Sequence, residues 1–146
     1  RLMLHNDISN KQAPILAFNV DNLLFKEKRG KSSIIDKIKN LIQSDREKYI
    51  NRDIDMTFVN MINNIWMKHP YSIYLITFYP YKDDLLTILD RNSVNYTSLV
   101  ELFEWDEIRH RCGLQFTYYF DNDVELLSYV SMNNALHIRE LPLIIK

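Results

Sequence analysis

The sequence predicts an α/β fold, a three-layer α/β/α sandwich whose doubly wound sheet is mainly parallel. Three observations support this prediction. Apolar runs typical of fully buried parallel strands alternate along the chain with patterns of helical spacing. Several runs end in short polar side chains, and open α/β sheets bind ligands beyond the carboxyl ends of their strands. The chain has 146 residues, of which 47% are hydrophobic, so it can bury one core without disulfides.

We therefore expect a single domain over residues 1–146, with about residues 1–13 as an N-terminal extension or a cloning remnant. The first strand is predicted over residues 15–20. Apolar residues at helical spacing between 34 and 42 predict an amphipathic helix packed on the sheet. Residues 44–53 are highly polar, so we expect a loop or a short exposed turn. The helical segment over about residues 26–70 leaves room for at most a minimal cap.

The second half of the chain continues the alternation of strands and helices. A strand rich in β-branched and aromatic residues is predicted over residues 71–78. Pro80 suits the first turn of a helix, and leucines at helical spacing extend that helix to about residue 91. The other predicted elements are a helix over about 55–68, a short strand near 98–103, a helical turn near 105–112, a strand over 116–120, a helix over about 124–132 and a strand near 135–138.

Composition excludes several classes of protein. With 18 basic and 19 acidic residues the formal charge is -1, so no bulk field draws the chain to nucleic acid. The only glycines, Gly30 and Gly113, are too far apart for a Walker or dinucleotide-binding loop. Four histidines and one cysteine show no zinc spacing. No apolar run has membrane-spanning length and no leader pattern is seen, so we expect a cytoplasmic protein without a membrane partner.

Polar side chains stand at the ends of three predicted strands. Asn19 and Asp21 follow the first strand, and Thr77 closes the second. Asp121 closes the strand predicted over residues 116–120, with Asp123 and Glu125 just beyond it. Because carboxyl ends of parallel strands share one edge of a sheet, these residues are expected to converge at a single site.

These motifs resemble those of the haloacid dehalogenase (HAD) superfamily over residues 15–138. Its first motif is an apolar strand followed by Asp-x-Asp-Gly-Thr. The resemblance implies a nucleophile position at Asn19, a general acid/base at Asp21 and a phosphate-binding hydroxyl at Thr77. The arrangement is similar to that of small, nearly capless members, such as the phosphatase domain of phage polynucleotide kinases. The resemblance further implies a magnesium site formed by Asp21, Asp121, Asp123 and Glu125.

Three departures from the HAD pattern argue against catalysis. Asn19 replaces the nucleophilic Asp, and an amide has no anionic oxygen to attack phosphorus. Asn22 and Leu23 replace the Gly-Thr of the motif. No lysine lies between Lys82 and Lys146 to serve as the basic residue of the third motif. We therefore expect the catalytic positions to be vestigial, magnesium binding to be weak or absent, and no other cofactor to be needed.

Each of these residues also has a purely structural alternative. Asp21 and Asn22 suit a helix cap or a turn, and Thr77 is an ordinary strand former. The acids from Asp121 to Glu125 suit the start of the following helix, where the helix dipole favours negative charge.

The expected function is that of an inactive HAD-like domain that binds or regulates another protein. Abundant Asn, Ile, Lys and Tyr indicate an AT-rich coding sequence, as in many phages, so the target is expected in host machinery, in the host cytoplasm. Two alternatives stay open: a divergent magnesium-dependent phosphatase or nucleotidase, and a phage factor that acts on nucleic acid or on transcription. The last would need a local basic patch from residues 26–31 with the two arginines near residue 110. The expected partner-binding residues, at the rim of the crevice, are Tyr79, Tyr81, Arg109 and Arg111.

Overall fold

A computed structural model of the chain describes residues 13–27 and 43–146, together with Ile34, Ile35 and Ile38. Five parallel strands form one sheet in the described part. They are β1 (Ile15–Asn19), β2 (Ser72–Thr77), β3 (Ser98–Glu101), β4 (Tyr118–Asp121) and β5 (Ala135–His137). The helices are α1 (Val20–Leu23), α2 (Asp45–Ile50), α3 (Met56–Lys68), α4 (Lys82–Arg91), α5 (Trp105–Leu114), α6 (Val124–Val130) and α7 (Leu141–Ile144), with a 3-10 turn at Ile138–Glu140.

Strand β1 is the centre of the sheet, whose order is β3-β2-β1-β4-β5. Ile15 is in register with Ser72 of β2, and Leu16 with Tyr118 of β4. The strands that end near residues 19, 77 and 121 are therefore parallel neighbours with their carboxyl ends on one edge. The prediction of a parallel α/β sandwich with the first strand at its centre is confirmed.

The core has two halves because β1 is buried on both faces. Leu16 and Phe18 pack with apolar side chains of α3 and α4 on one face. Ala17 on the other face packs with those of α5 and α6. This two-sided burial explains why residues 15–18 of β1 are all apolar, and Asn19 is the first polar residue, at the carboxyl end of the strand.

Residues 44–53 were predicted to form a loop or a short exposed turn, but they contain helix α2. The Ser44 hydroxyl caps this helix by accepting a hydrogen bond from the Glu47 amide, at 3.2 Å. No residue of α2 is fully buried, although Tyr49 is half-buried, so the helix has no apolar periodicity from which it could be predicted.

The amphipathic helix predicted over residues 34–42 lies largely outside the described residues. The three isoleucines described there, Ile34, Ile35 and Ile38, are exposed, so the expectation that they pack on the sheet was wrong. Among the helices formed by the described residues, none is long and apolar enough to span a lipid bilayer.

Candidate functional site

The predicted convergence of polar residues occurs at the carboxyl edge of β1. Asn19 is the last residue of β1, and Asp21 lies in the short helix α1 that follows directly. Thr77 ends β2 on one side of β1, and Asp121 ends β4 on the other side. Asn19, Thr77 and Asp121 are almost completely buried. We call these four residues the crevice floor.

Asp21 is held by three hydrogen-bond donors on the β2 side of the crevice floor. Its Oδ1 accepts from the Thr77 hydroxyl at 2.6 Å and from the Tyr49 hydroxyl at 2.6 Å. Its Oδ2 accepts from the backbone amide of Phe78 at 2.8 Å. Thr77 therefore points at Asp21, and its own oxygen accepts from the Tyr79 amide at 3.0 Å. Both carboxylate oxygens are satisfied by the protein itself.

Asp121 is surrounded even more completely on the β4 side. Its Oδ2 accepts from the Asn19 side-chain amide at 2.9 Å and from the Tyr119 hydroxyl at 2.5 Å. Its Oδ1 accepts from the Asn22 side chain at 3.0 Å. Burial raises the pKa of Asp121, and these hydrogen bonds oppose that rise because they favour the charged form. Two backbone amides complete the set, those of Asn122 at 2.8 Å and Asp123 at 3.1 Å.

Asn19 joins this cluster through its amide nitrogen. Nδ2 donates to Asp121 and to the Tyr119 hydroxyl, the latter at 3.2 Å. Its Oδ1 is buried and accepts no hydrogen bond from any residue that the structure describes. A carboxylate in place of the amide would put two negative charges about as close as this hydrogen bond, where they repel strongly. The Asn19 amide therefore donates a hydrogen bond to Asp121 at a position where an aspartate would repel it.

No basic side chain neutralises the crevice floor within the described residues. The ion pairs there join Arg46 to Asp84, Lys48 to Asp45 and Arg109 to Asp106. Asp21 and Asp121 instead depend on neutral donors. Neutral donors stabilise these carboxylates without an ion pair. Arg46 and Arg52 line the cavity on the Asp21 side, but neither forms an ion pair with Asp21 or Asp121.

Helix α2 covers the Asp21 side of the crevice floor. The Tyr49 ring stacks on the Tyr79 ring, with centroids 3.7 Å apart and planes 5° from parallel. Arg46 binds the Asp84 carboxylate through two hydrogen bonds of 2.8 and 2.9 Å, and its guanidinium lies 4.2 Å from the centre of the Tyr81 ring. A cavity of about 700 Å³ opens between α2 and the loop after β2.

Tyr49 and Tyr119 contribute to the site although the sequence did not single them out. Burial and the adjacent Asp21 raise the pKa of the Tyr49 hydroxyl, so it stays protonated and donates. Burial, followed by the charge of Asp121, has the same effect on the pKa of Tyr119. The only available signal for Tyr49 was an isolated aromatic residue in a polar segment.

The remaining proposed metal ligands have ordinary structural positions. Asp123 caps helix α6 by accepting a hydrogen bond from the Leu126 amide at 3.1 Å. Glu125 is exposed in the first turn of the same helix. Within the part of the chain that the structure describes, no three His, Cys, Asp or Glu side chains are grouped to hold a metal ion.

The four expected partner-binding residues do not form one rim. Tyr79 is buried, and its hydroxyl donates to Asp84 at 2.6 Å, whereas Tyr81 is largely exposed beside the cavity. Arg109 donates to the backbone oxygens of Tyr129 and Val130 at the end of α6. Arg111 donates to Gln115 at 2.7 Å.

The expectation of a shared rim was wrong because of the direction of α5. This helix starts after β3 at the carboxyl edge and runs back to the start of β4 at the amino edge, so residues that precede β4 move away from the crevice. The basic patch expected over residues 26–31 lies mostly outside the described residues; of its cations only Lys26 is described, and it is exposed.

Comparison with protein-family models, curated proteins and solved structures finds no match for this chain. The resemblance to the HAD superfamily therefore stays an expectation drawn from the motifs and their spacing.

Proposed function

We propose that this chain is a HAD-like domain without phosphoryl transfer, encoded by a phage, that binds or regulates a host protein in the host cytoplasm. The observation that carries this proposal is the position of Asn19. Its amide is a neutral donor to Asp121 at the strand end where the resemblance implies a nucleophilic carboxylate. A neutral amide offers neither an attacking anion nor a charged magnesium ligand.

The hydrogen bonding of Asp21 supports the same proposal. A general acid/base must exchange a proton with a substrate atom at hydrogen-bond distance. One oxygen of Asp21 is already shared by the Tyr49 and Thr77 hydroxyls, and the other accepts from a backbone amide. A substrate atom or a magnesium ion that binds Oδ1 would have to displace the Tyr49 or the Thr77 hydroxyl. We therefore propose that magnesium binds weakly or not at all.

The divergent phosphatase is the second candidate, favoured by one observation. Asp21 is only partly buried and borders the cavity beneath α2, so a water molecule could reach it from that side. In that case Asp21 would activate water directly, without a covalent intermediate.

A turnover assay separates the two candidates. Wild-type protein is incubated with magnesium, a chromogenic phosphate ester and a panel of nucleotides. We expect no hydrolysis above the buffer rate, because loss of a nucleophile lowers rates by several orders of magnitude. Asp21→Asn removes the candidate base, and Asp90→Asn, which changes an exposed carboxylate on α4, is the matched control. Turnover that persists in Asp90→Asn but disappears in Asp21→Asn would establish the phosphatase and overturn the proposal.

A further inference from the structure

We propose that the loop after β3 is a docking surface for a basic segment of a partner protein. We call it the Phe103 surface; it consists of Phe103, Trp105 and Tyr129 with the acids Glu101, Glu104, Asp106 and Glu107. The proposal rests on the proposed binding function and assigns it a place and a kind of partner. It involves no residue of the crevice floor.

The first observation is the exposure of Phe103. Its side chain is 84% exposed, more than any other large hydrophobic residue in the described part of the chain. Burial of a phenylalanine side chain is favourable, and the isolated protein does not gain that stabilisation at Phe103. A partner that covers the ring recovers it. Exposed aromatic side chains of this kind are enriched at the centres of protein interfaces.

The second observation is that the backbone holds Phe103 in place. The amides of Phe103 and Glu104 both donate to one carboxylate oxygen of Glu107, at 2.6 and 2.9 Å. On the other side, Leu102 is buried, and its amide donates to the Thr77 backbone oxygen at 2.9 Å. The ring is presented from a fixed loop, so binding sacrifices little conformational entropy.

Further aromatic surface adjoins this loop. The rings of Trp105 and Tyr129 meet edge to face, with centroids 5.5 Å apart. The Tyr129 hydroxyl donates to Asp106 at 2.8 Å, and the Arg109 guanidinium lies 4.9 Å from the centre of the Tyr129 ring. These contacts link the start of α5 to the end of α6 and fix the two rings relative to the loop.

Charge selects the kind of partner. Residues 101–107 contain four acidic residues and no basic residue. The adjacent Arg109 is paired with Asp106 at 3.1 Å and also donates to backbone oxygens of α6. The surface therefore carries excess negative charge around a large apolar side chain. Such a surface attracts lysine- or arginine-rich protein segments and repels the phosphates of nucleic acid.

Fluorescence anisotropy with three labelled peptides tests the proposal on the full chain. One peptide alternates lysine and leucine, the second lysine and serine, and the third glutamate and leucine. We expect the affinity order lysine–leucine, lysine–serine, glutamate–leucine, because only the first supplies both charge and apolar contact. Phe103→Ala and Glu104→Lys should each weaken binding of the first peptide about tenfold. Met67→Ala, which is 80% exposed on α3, and Asp53→Lys, in an exposed turn, are the matched controls and should leave binding unchanged.

Absence of lysine–leucine binding, or equal weakening by the test and control variants, would overturn the proposal. So would a wild-type dimer that Phe103→Ala dissociates in sedimentation, since the occupant would then be a second copy of the chain. Phe103→Ala should unfold at the same urea concentration as wild type, which separates lost binding from lost folding. Phosphatase turnover would overturn the proposed function, but it would not alter the order of the three peptides, so the two failures are distinguishable.

Discussion

The crevice floor and the Phe103 surface lie at the same carboxyl edge of the sheet, yet their side chains differ in burial and in hydrogen bonding. In the crevice floor, the carboxylate of Asp121 is fully buried and accepts five hydrogen bonds from the protein itself. On the surface, Phe103 is 84% exposed, and only its backbone is satisfied. Groups that are satisfied internally have little left to offer a ligand, whereas an exposed aromatic ring on a fixed backbone can still bind a partner.

Carboxylates have different roles in these two regions. Asp121 accepts hydrogen bonds that tie β1 to β4, and Asp21 accepts those that tie α1 to β2 and α2. Glu107 orients a loop that presents a side chain to solvent. The crevice acids therefore stabilise the fold, whereas Glu107 fixes the loop that exposes the Phe103 side chain.

The largest effect is expected from restoring a carboxylate to the crevice floor. Asn19→Asp places a second negative charge beside Asp121, at a position that is 1% exposed and has no cation among the described residues. We expect the free energy of unfolding in urea at neutral pH to fall by about 3 to 5 kcal/mol, as for an uncompensated buried charge. Asn64→Asp, on the exposed face of α3, is the matched control and should stay close to wild type. A stable Asn19→Asp protein that also gains magnesium binding would mean that the site is still built for a metal.

A smaller effect is expected where α2 meets the crevice floor. Tyr49→Phe keeps the ring that stacks on Tyr79 but removes the hydroxyl that donates to Asp21. The expected loss is about 1.5 to 3 kcal/mol in the free energy of unfolding, typical of a hydrogen bond to a charged group. The Tyr81 hydroxyl donates no such hydrogen bond among the described residues. Tyr81→Phe should therefore change the free energy of unfolding by less than about 0.5 kcal/mol. Equal stability of the two variants would show that α2 contributes nothing to the crevice.

Much of the fold could be predicted from the sequence, because the relevant signals are local. Residues 15–18 are all apolar, since β1 is covered on both faces, and Pro80 precedes α4, which begins at Lys82, two residues later than predicted. Parallel topology then places the ends of β1, β2 and β4 together. Helix α2 could not be predicted in the same way, because it has no fully buried residue and therefore no apolar pattern.

The site was less predictable, because its contacts join distant parts of the chain. Thr77 and Asp121 could be located from the strand ends, but the direction of the Asn19 amide depends on Tyr119, a hundred positions away. Arg109 lies away from its expected place because α5 runs back to the amino edge of the sheet. The hydrogen bond from Tyr49 to Asp21 depends on the position of α2, and no apolar pattern in the sequence predicts that helix.

The most direct test of the account is the stability of Asp121→Asn, because the central claim is that the crevice acids serve the fold. Acids held for ligands or catalysis are commonly strained, and their removal often leaves stability unchanged or higher. Asp121 accepts five hydrogen bonds, and an amide in its place would turn one acceptor into a donor that faces other donors. We expect urea unfolding of Asp121→Asn to give a free energy of unfolding lower than that of wild type by about 2 to 3 kcal/mol. A value equal to or above that of wild type would mean that the crevice acids are held for a ligand and not for the fold.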